Sequence, residues 1–180
     1  MTLAAACERI ELILSDVDGV LTDGGLYFGA DGEPVKRFHT LDGHGLKLLR
    51  SAGIAPVVIS GRDSPALRAR LAALGIEHAT FGCEDKLLAA LQWLDRLGAD
   101  WSAAGAIGDD WPDLPLLQRA TLAAAPPAAH AEVLAAAHWI TGRRGGDGAA
   151  REFCDLLLVA NGHYRRLLEA AAGSPEDHPW

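Results

Sequence analysis

Asp16 and Asp18 stand two residues apart, directly after the apolar run Ile10 to Leu14 and just before Gly19. If the extended backbone of that run persists, both carboxylates project to the same side. Two carboxylates held together repel each other, and the arrangement becomes favourable once a cation sits between them. Gly19 lets the backbone turn and a ligand approach closely. By itself an Asp-x-Asp-Gly run reads equally well as a strand ending in an Asx turn. Three further groups shift that balance: Ser60-Gly61-Arg62, Lys86 and Gly108-Asp109-Asp110-x-x-Asp113. Asp16 and Asp109, with the backbone carbonyl of Asp18, offer hard oxygen ligands suited to a Mg²⁺ ion that keeps several waters. Ser60, the Gly61 amide and Lys86 supply donors to the non-bridging oxygens of a phosphoryl group, where charge is stabilised during transfer.

Each of these residues also has an ordinary structural reading. Lys86 is one of three lysines, with Lys36 and Lys47. At the start of a helix the macrodipole disfavours its charge, so it wants a local anion; otherwise it is a solvated side chain. Ser60 also serves as a capping hydroxyl ahead of Arg62-Asp63. Asp110 and Asp113 either support Lys86 and the water on a metal, or cap the helix that follows.

The elements that must carry these groups alternate along the chain. Strands are expected at Ile10 to Leu14, Ile54 to Ile59, near Glu77 to Phe81, Ala103 to Ile107, Thr121 to Ala124 and Trp139-Ile140. Helices are expected at Leu46 to Ser51, Pro65 to Leu74, Glu84 to Leu97, Leu114 to Arg119, Pro127 to Ala137 and Ala149 to Ala160, with Gly53 and Gly75 as stops. The stretch Leu41-Asp-Gly-His-Gly45 reads as a glycine-broken loop. Such alternation means an α/β fold: a doubly wound parallel sheet with helices on both faces, which binds ligands at the carboxyl ends of its strands. Asp16, Asp18, Ser60, Asp109, Asp110 and Asp113 all fall at that end. Two β-prone runs, Gly24 to Gly29 and Pro34 to His39, flank Asp31-Gly32 as a hairpin (about 24–39) projecting from the domain in place of a cap. Its Leu26, Tyr27, Phe28, Val35 and Phe38 need covering, and self-association is the simplest cover. Residues 1–164 read as a single domain, and 165–180 as an extension ending in a frayed tail.

Composition narrows the partners. The chain has 180 residues, a net charge of −8 and a pI near 5.3. A nucleic acid or an anionic membrane therefore gains no electrostatic attraction at the level of the whole chain. No apolar segment approaches the roughly 20 residues of a membrane span, and Thr2 to Cys7 lacks the basic leader of a lipoprotein signal. Cys7, Cys83 and Cys154 are scattered and odd in number, which fits free thiols and a cytoplasmic protein.

Taken in order and spacing, Asp16-x-Asp18, Ser60, Lys86 and Gly108-Asp109-Asp110-x-x-Asp113 resemble the four motifs of the haloacid dehalogenase superfamily phosphatases, over about residues 8 to 163. The resemblance implies that Asp16 attacks phosphorus in line to form an aspartyl-phosphate. It also implies that Asp18 protonates the leaving alkoxide and then deprotonates the hydrolytic water. Within that superfamily, the small hairpin, Phe38-x-x-x-Asp42-Gly43-x-Gly45 and Gly145-Gly146-x-Gly148-Ala149-x-Arg151-Glu152 resemble the 3-deoxy-D-manno-octulosonate 8-phosphate phosphatase family of lipopolysaccharide precursor synthesis. That family implies a homotetramer whose hairpins pack as a barrel, a sugar acid phosphate as substrate, and a glycine-rich segment closing over a neighbouring subunit's cleft. Substrate contacts are then implied at Asp18, His39, Thr40, Leu41, Asp42, Gly43, Lys47, Gly61, Arg62, Arg70 and Lys86. Leu41 and Asp147 depart from the pattern, standing where basic residues are common. Lys47 replaces an arginine, keeping the charge without the fork. Arg143, Arg144 and Arg151 offer forks for a sugar-acid carboxylate. Rival readings are a nonulosonate 9-phosphate phosphatase, a phospho-accepting receiver and a non-catalytic oligomerisation module. The order of the acidic clusters disfavours a receiver, and the retention of all four motif residues disfavours an inert module.

Overall fold

In the computed structural model, which describes residues 2–30 and 32–173, the apolar run becomes strand β1 (Leu12–Ser15), fully buried at the middle of a six-stranded sheet. After α1 (Leu3–Cys7) and β1 come the hairpin strands β2 (Tyr27–Gly29) and β3 (Gly32–Val35), then α2 (Thr40–Ser51), β4 (Ala55–Ile59), α3 (Pro65–Leu74) and β5 (Ala79–Thr80). The chain continues through α4 (Lys86–Leu97), β6 (Ala104–Ile107), α5 (Leu114–Leu117), β7 (Leu122–Ala125), α6 (Ala131–Ala136), β8 (Trp139–Ile140), α7 (Ala149–Ala160) and α8 (His163–Ala172). The sheet order is β5-β4-β1-β6-β7-β8, all parallel. This is the doubly wound α/β architecture that the alternation predicts.

Side-chain alternation along the strands builds two cores. Ile13, Val58, Ile107 and Leu122 face one way, against Leu46 and Leu49 of α2, Leu71 of α3 and Phe153 and Leu157 of α7. Leu12, Leu14, Val57 and Ile59 face the other way, against Ala90 and Leu94 of α4 and Leu116 and Leu117 of α5. Among the described residues, no helix is long and apolar enough to cross a membrane.

Several elements differ from their expected extents, three of them for a visible physical reason. The supposed loop Leu41–Gly45 is the first part of α2, whose start His39 caps by accepting from the Leu41 amide at 3.2 Å. Glycine in a helix interior costs about 1 kcal/mol each, but here it permits close packing. A Cβ on Gly43 would run into the Arg70 guanidinium, and one on Gly45 would press on Arg151 and Cys154. Helix α6 begins at Ala131 rather than Pro127, because the His130 amide is drawn to the Asp109 carbonyl at 2.8 Å. The hairpin is shorter than expected, and Phe38 is not exposed on it: it packs on the core, with the Arg70 guanidinium 5.9 Å from its ring. Asp31 of the hairpin loop lies outside the described residues, as does the tail from 174 to 180. Residue 164, the expected domain end, falls within α8.

Candidate active site

The parallel ladder carries the chemistry to one place. Pairing of β1 with β6 runs one residue past the strand, the Asp16 amide donating to the Ile107 carbonyl at 3.1 Å, so Asp16 emerges beside Gly108-Asp109. On the other side, Cys83 donates to the Ser60 carbonyl at 3.0 Å, which brings the start of α4 to the end of β4. Asp85 caps α4 by accepting from the Leu88 amide at 2.9 Å, and Lys86 follows as its first residue. The Lys86 ammonium, buried to 6% exposure, lies 2.7 Å from Asp16 Oδ1 and 2.6 Å from Asp113 Oδ1. Burial opposes its charge, but the carboxylates of Asp16 and Asp113 outweigh burial and its pKa lies above that of a free lysine.

The Asp113 side chain supports Lys86 and closes the turn ahead of α5, without capping α5 itself. One carboxylate oxygen holds Lys86, and the other accepts from the amides of Asp109 at 3.1 Å and Asp110 at 3.3 Å. Asp110 completes a capping box with Asp113 around the turn Trp111–Asp113. Gly108 is required there, since a Cβ would overlap the Asp113 side chain.

Asp16, Asp109 and Asp113 bring carboxylate oxygens within 4.8 Å of one another. Burial, then Asp113, pushes Asp16 up to about 6, against the pull of Lys86. Burial, then Asp16 and Asp113, pushes Asp109 up to about 7. Carboxylates that raise one another in this way form a site whose charge a divalent ion relieves, and hard oxygen donors suit Mg²⁺. With Asp113 committed to Lys86 and two amides, Asp16 and Asp109 remain to hold it. Gly19, at φ +87°, makes room: any side chain there would overlap the Asp109 carboxylate.

Asp18 sits otherwise than the acidic pair suggests. Its carboxylate is outside this cluster, turned to the Lys36 ammonium, with Thr22 Oγ1 donating to Oδ1 at 3.4 Å and Arg62 Nε 3.7 Å from Oδ2. As a metal ligand, Asp18 is left with its backbone carbonyl. Asp16, Asp18, Gly61, Arg62, Lys86 and Asp109 line a common cleft of about 650 Å³, with Cys83 on its wall. Ser60 is buried directly after β4, and its Oγ accepts from the Arg62 amide at 3.1 Å; this closes a turn in the loop and caps no helix, since Ser64 caps α3, and the hydroxyl proton remains to be donated.

Most of the other implied substrate contacts lie elsewhere in this chain. Asp42 is buried, and its carboxylate accepts from the amides of Gly148 at 3.2 Å and Arg151 at 2.8 Å. Burial raises its pKa against the pull of those amides. It therefore ties α2 to the start of α7. Gly43 is covered by Arg70, whose Nη2 donates to the His39 carbonyl at 3.2 Å. Phe38, His39, Asp42, Gly43 and Arg70 border a separate small crevice. Thr40, Leu41 and Lys47 are exposed on α2, away from the cleft lining.

The glycine-rich segment docks on its own chain. Gly146 donates to the Val20 carbonyl at 2.9 Å, and a Cβ on Gly145 would overlap the Gly19 carbonyl. Glu152 holds the segment by accepting from the amides of Gly142 at 3.0 Å and Arg143 at 2.9 Å. Arg151 pairs with Asp155 at 2.8 Å. Lys36, which reading the sequence did not single out, reaches the site through Asp18. Its signal was the scarcity of lysine that drew notice to Lys86.

A parallel sheet of this order, with a strand-end carboxylate gripped by a buried lysine and an acidic turn beside it, defines a haloacid dehalogenase-like hydrolase; that family's model matches residues 80–153. A 3-deoxy-D-manno-octulosonate 8-phosphate phosphatase of Escherichia coli (strain K12) is 39% identical over 158 residues, covering 88% of this chain and 84% of that protein. The chain belongs to the 3-deoxy-D-manno-octulosonate 8-phosphate phosphatase family. The Moraxella catarrhalis phosphatase of that name, solved with a magnesium ion, a phosphate ion and the sugar acid, superposes with a TM-score of 0.90 at 35% identity, over 94% of this chain and 97% of that one. The cobalt-bound Haemophilus influenzae phosphatase superposes at 0.88 with 39% identity, over 92% and 97%.

Proposed function

We propose that this protein is a Mg²⁺-dependent phosphomonoesterase that hydrolyses 3-deoxy-D-manno-octulosonate 8-phosphate to the free sugar acid and phosphate. The observation that carries this reading is Asp16: a buried carboxylate at the end of the central strand, held by Lys86 at 2.7 Å and opening on a cleft with Asp109. An Asp16 oxygen bonds to phosphorus as the bond from phosphorus to the sugar oxygen breaks, and Asp18 gives that oxygen its proton. Water then attacks the aspartyl-phosphate, Asp18 takes the water's proton, and phosphate leaves with Asp16 restored. Through these steps Lys86, the Gly61 amide and the Ser60 hydroxyl meet the charge on the non-bridging oxygens. Mg²⁺ held by Asp16 and Asp109 would offset repulsion between these carboxylates and the phosphate dianion.

Residues 1–164 form the catalytic domain in this reading, with 165–180 as an extension, and the protein works as a homotetramer in the cytoplasm. Support comes from the exposed hairpin residues Leu26, Tyr27, Phe28 and Val35, and from Thr40, Leu41 and Lys47, which are exposed but do not line their own cleft and so are available to a neighbour's. The test is a panel of sugar acid phosphates with Mg²⁺. Turnover of the octulosonate ester at least about tenfold above a nonulosonate 9-phosphate (~1.4 kcal/mol of discrimination), abolished by excess chelator, is expected; the reverse preference points to the rival substrate.

A further inference from the structure

Lys36 lies immediately after β3, in the arm that carries the hairpin back to the domain. Its side chain is nonetheless only 1% exposed, and its ammonium reaches Asp18 Oδ1. A lysine is buried only where partners compensate its desolvation, and one partner here is the carboxylate to which the proton transfers are assigned. The two Asp18 oxygens have different surroundings. Oδ1 is anchored from two directions, by Lys36 and by Thr22 Oγ1 at 3.4 Å. Oδ2 lies on the side of Arg62, whose Nε is 3.7 Å away and whose half-exposed side chain lines the cleft. One oxygen is restrained, and the other lies beside Arg62 on the wall of the cleft.

We propose that Lys36 is a positioning residue for Asp18: by holding Oδ1 it aims Oδ2 at the leaving oxygen, and it makes the seating of the hairpin a condition of proton transfer. Lys36 touches neither phosphorus nor the sugar; it acts through Asp18, and the inference rests on Asp18 being the acid and base. Orientation matters because a misaimed general acid loses most of the roughly 100-fold or more that proton transfer contributes.

The test compares leaving groups. A sugar alkoxide needs a proton to depart, whereas p-nitrophenolate leaves without one. Leaving-group release is followed in single turnovers of the Mg²⁺-loaded enzyme with 3-deoxy-D-manno-octulosonate 8-phosphate and with p-nitrophenyl phosphate, for Asp18→Asn, Lys36→Met, Lys36→Gln and Lys36→Arg. Lys36→Met is expected to slow release of the sugar about 100-fold and release of p-nitrophenolate less than about 3-fold, with KM little changed. Lys36→Gln, which keeps a donor, and Lys36→Arg, which also keeps the charge, are expected to restore part of the sugar rate; Lys36→Gln carries the comparison if Lys36→Met does not fold. Equal losses on both esters would mark a merely structural lysine and overturn the proposal. Selective loss in Asp18→Asn without any in the Lys36 variants would overturn it while leaving the role of Asp18 intact. No selectivity in Asp18→Asn would remove that role, and the positioning proposal with it.

Discussion

Lys86 carries its charge into a place that opposes it twice, through burial and through the positive end of α4. Two carboxylates at 2.7 and 2.6 Å outweigh both, and the same contact holds Asp16 at the edge of the cleft. Replacing Asp16 by Asn should therefore lower turnover of every phosphate ester by at least about 1,000-fold while leaving the circular dichroism spectrum and cooperative unfolding in place; activity near wild type would rule out the covalent route. Asp109 permits a prediction of opposite sign for stability. Its folded pKa of about 7 lies above the ordinary 3.8, so between those values the folded chain holds a proton that the unfolded chain has lost. Stability contributed by this group is thus present at low pH and lost as pH rises through about 7. In chelator at pH 8, Asp109→Asn should melt above wild type, by a gain on the order of 1 kcal/mol, and the gap should close towards pH 4. Added Mg²⁺ should raise the wild-type melting temperature and leave the variant unmoved. A variant less stable than wild type at pH 8 would contradict the electrostatic account.

At the scale of elements, the cleft depends on loops that come within backbone contact of one another. Gly145 lies against the Gly19 carbonyl, and Gly19 lies against the Asp109 carboxylate, so the glycine-rich loop braces the floor of the site from behind. Gly145→Ala must displace the Gly19–Thr22 turn, and with it the relation of Asp18 to Asp109. A fall in kcat of at least about tenfold (~1.4 kcal/mol) and a higher Mg²⁺ requirement are expected. Gly142→Ala serves as the control in the same loop, because its Cβ meets only the Glu152 carboxylate at an ordinary 3.5 Å. Equal, wild-type kinetics in both variants would show that the brace does not bear on the chemistry.

On the scale of the whole molecule, the hairpin presents apolar surface with no cover among the described residues: Phe28 is 66% exposed and Val35 54%. Packing these residues between copies removes that surface from water, at about 25 cal/mol per Å². Phe28→Asp should shift the sedimentation of the protein to a smaller species and raise KM, since Thr40, Leu41 and Lys47 would lose the neighbour they are proposed to serve. A wild-type protein that sediments as a monomer at micromolar concentration would remove the assembly from the argument.

Much of this architecture is written in short stretches of the chain. The alternation of buried strands with capped helices defines the parallel sheet, and polar residues directly after β1, β4 and β6 land at one edge because parallel strands all end there. That is why Asp16, Asp18, Ser60, Asp109 and Asp113 were legible as one site. Helix α2 was not: Gly43 and Gly45 read as breakers, and only their fit against Arg70 and Cys154 makes them helical. Side-chain pairing between distant segments was equally out of reach. Spacing shows which groups reach the sheet edge, but not that Lys36 crosses from the hairpin to Asp18, that Asp42 is consumed by the amides of Gly148 and Arg151, or that Gly145 returns to lie on Gly19. Those contacts join segments whose order along the chain carries no mark of their meeting, so close packing in three dimensions decided them.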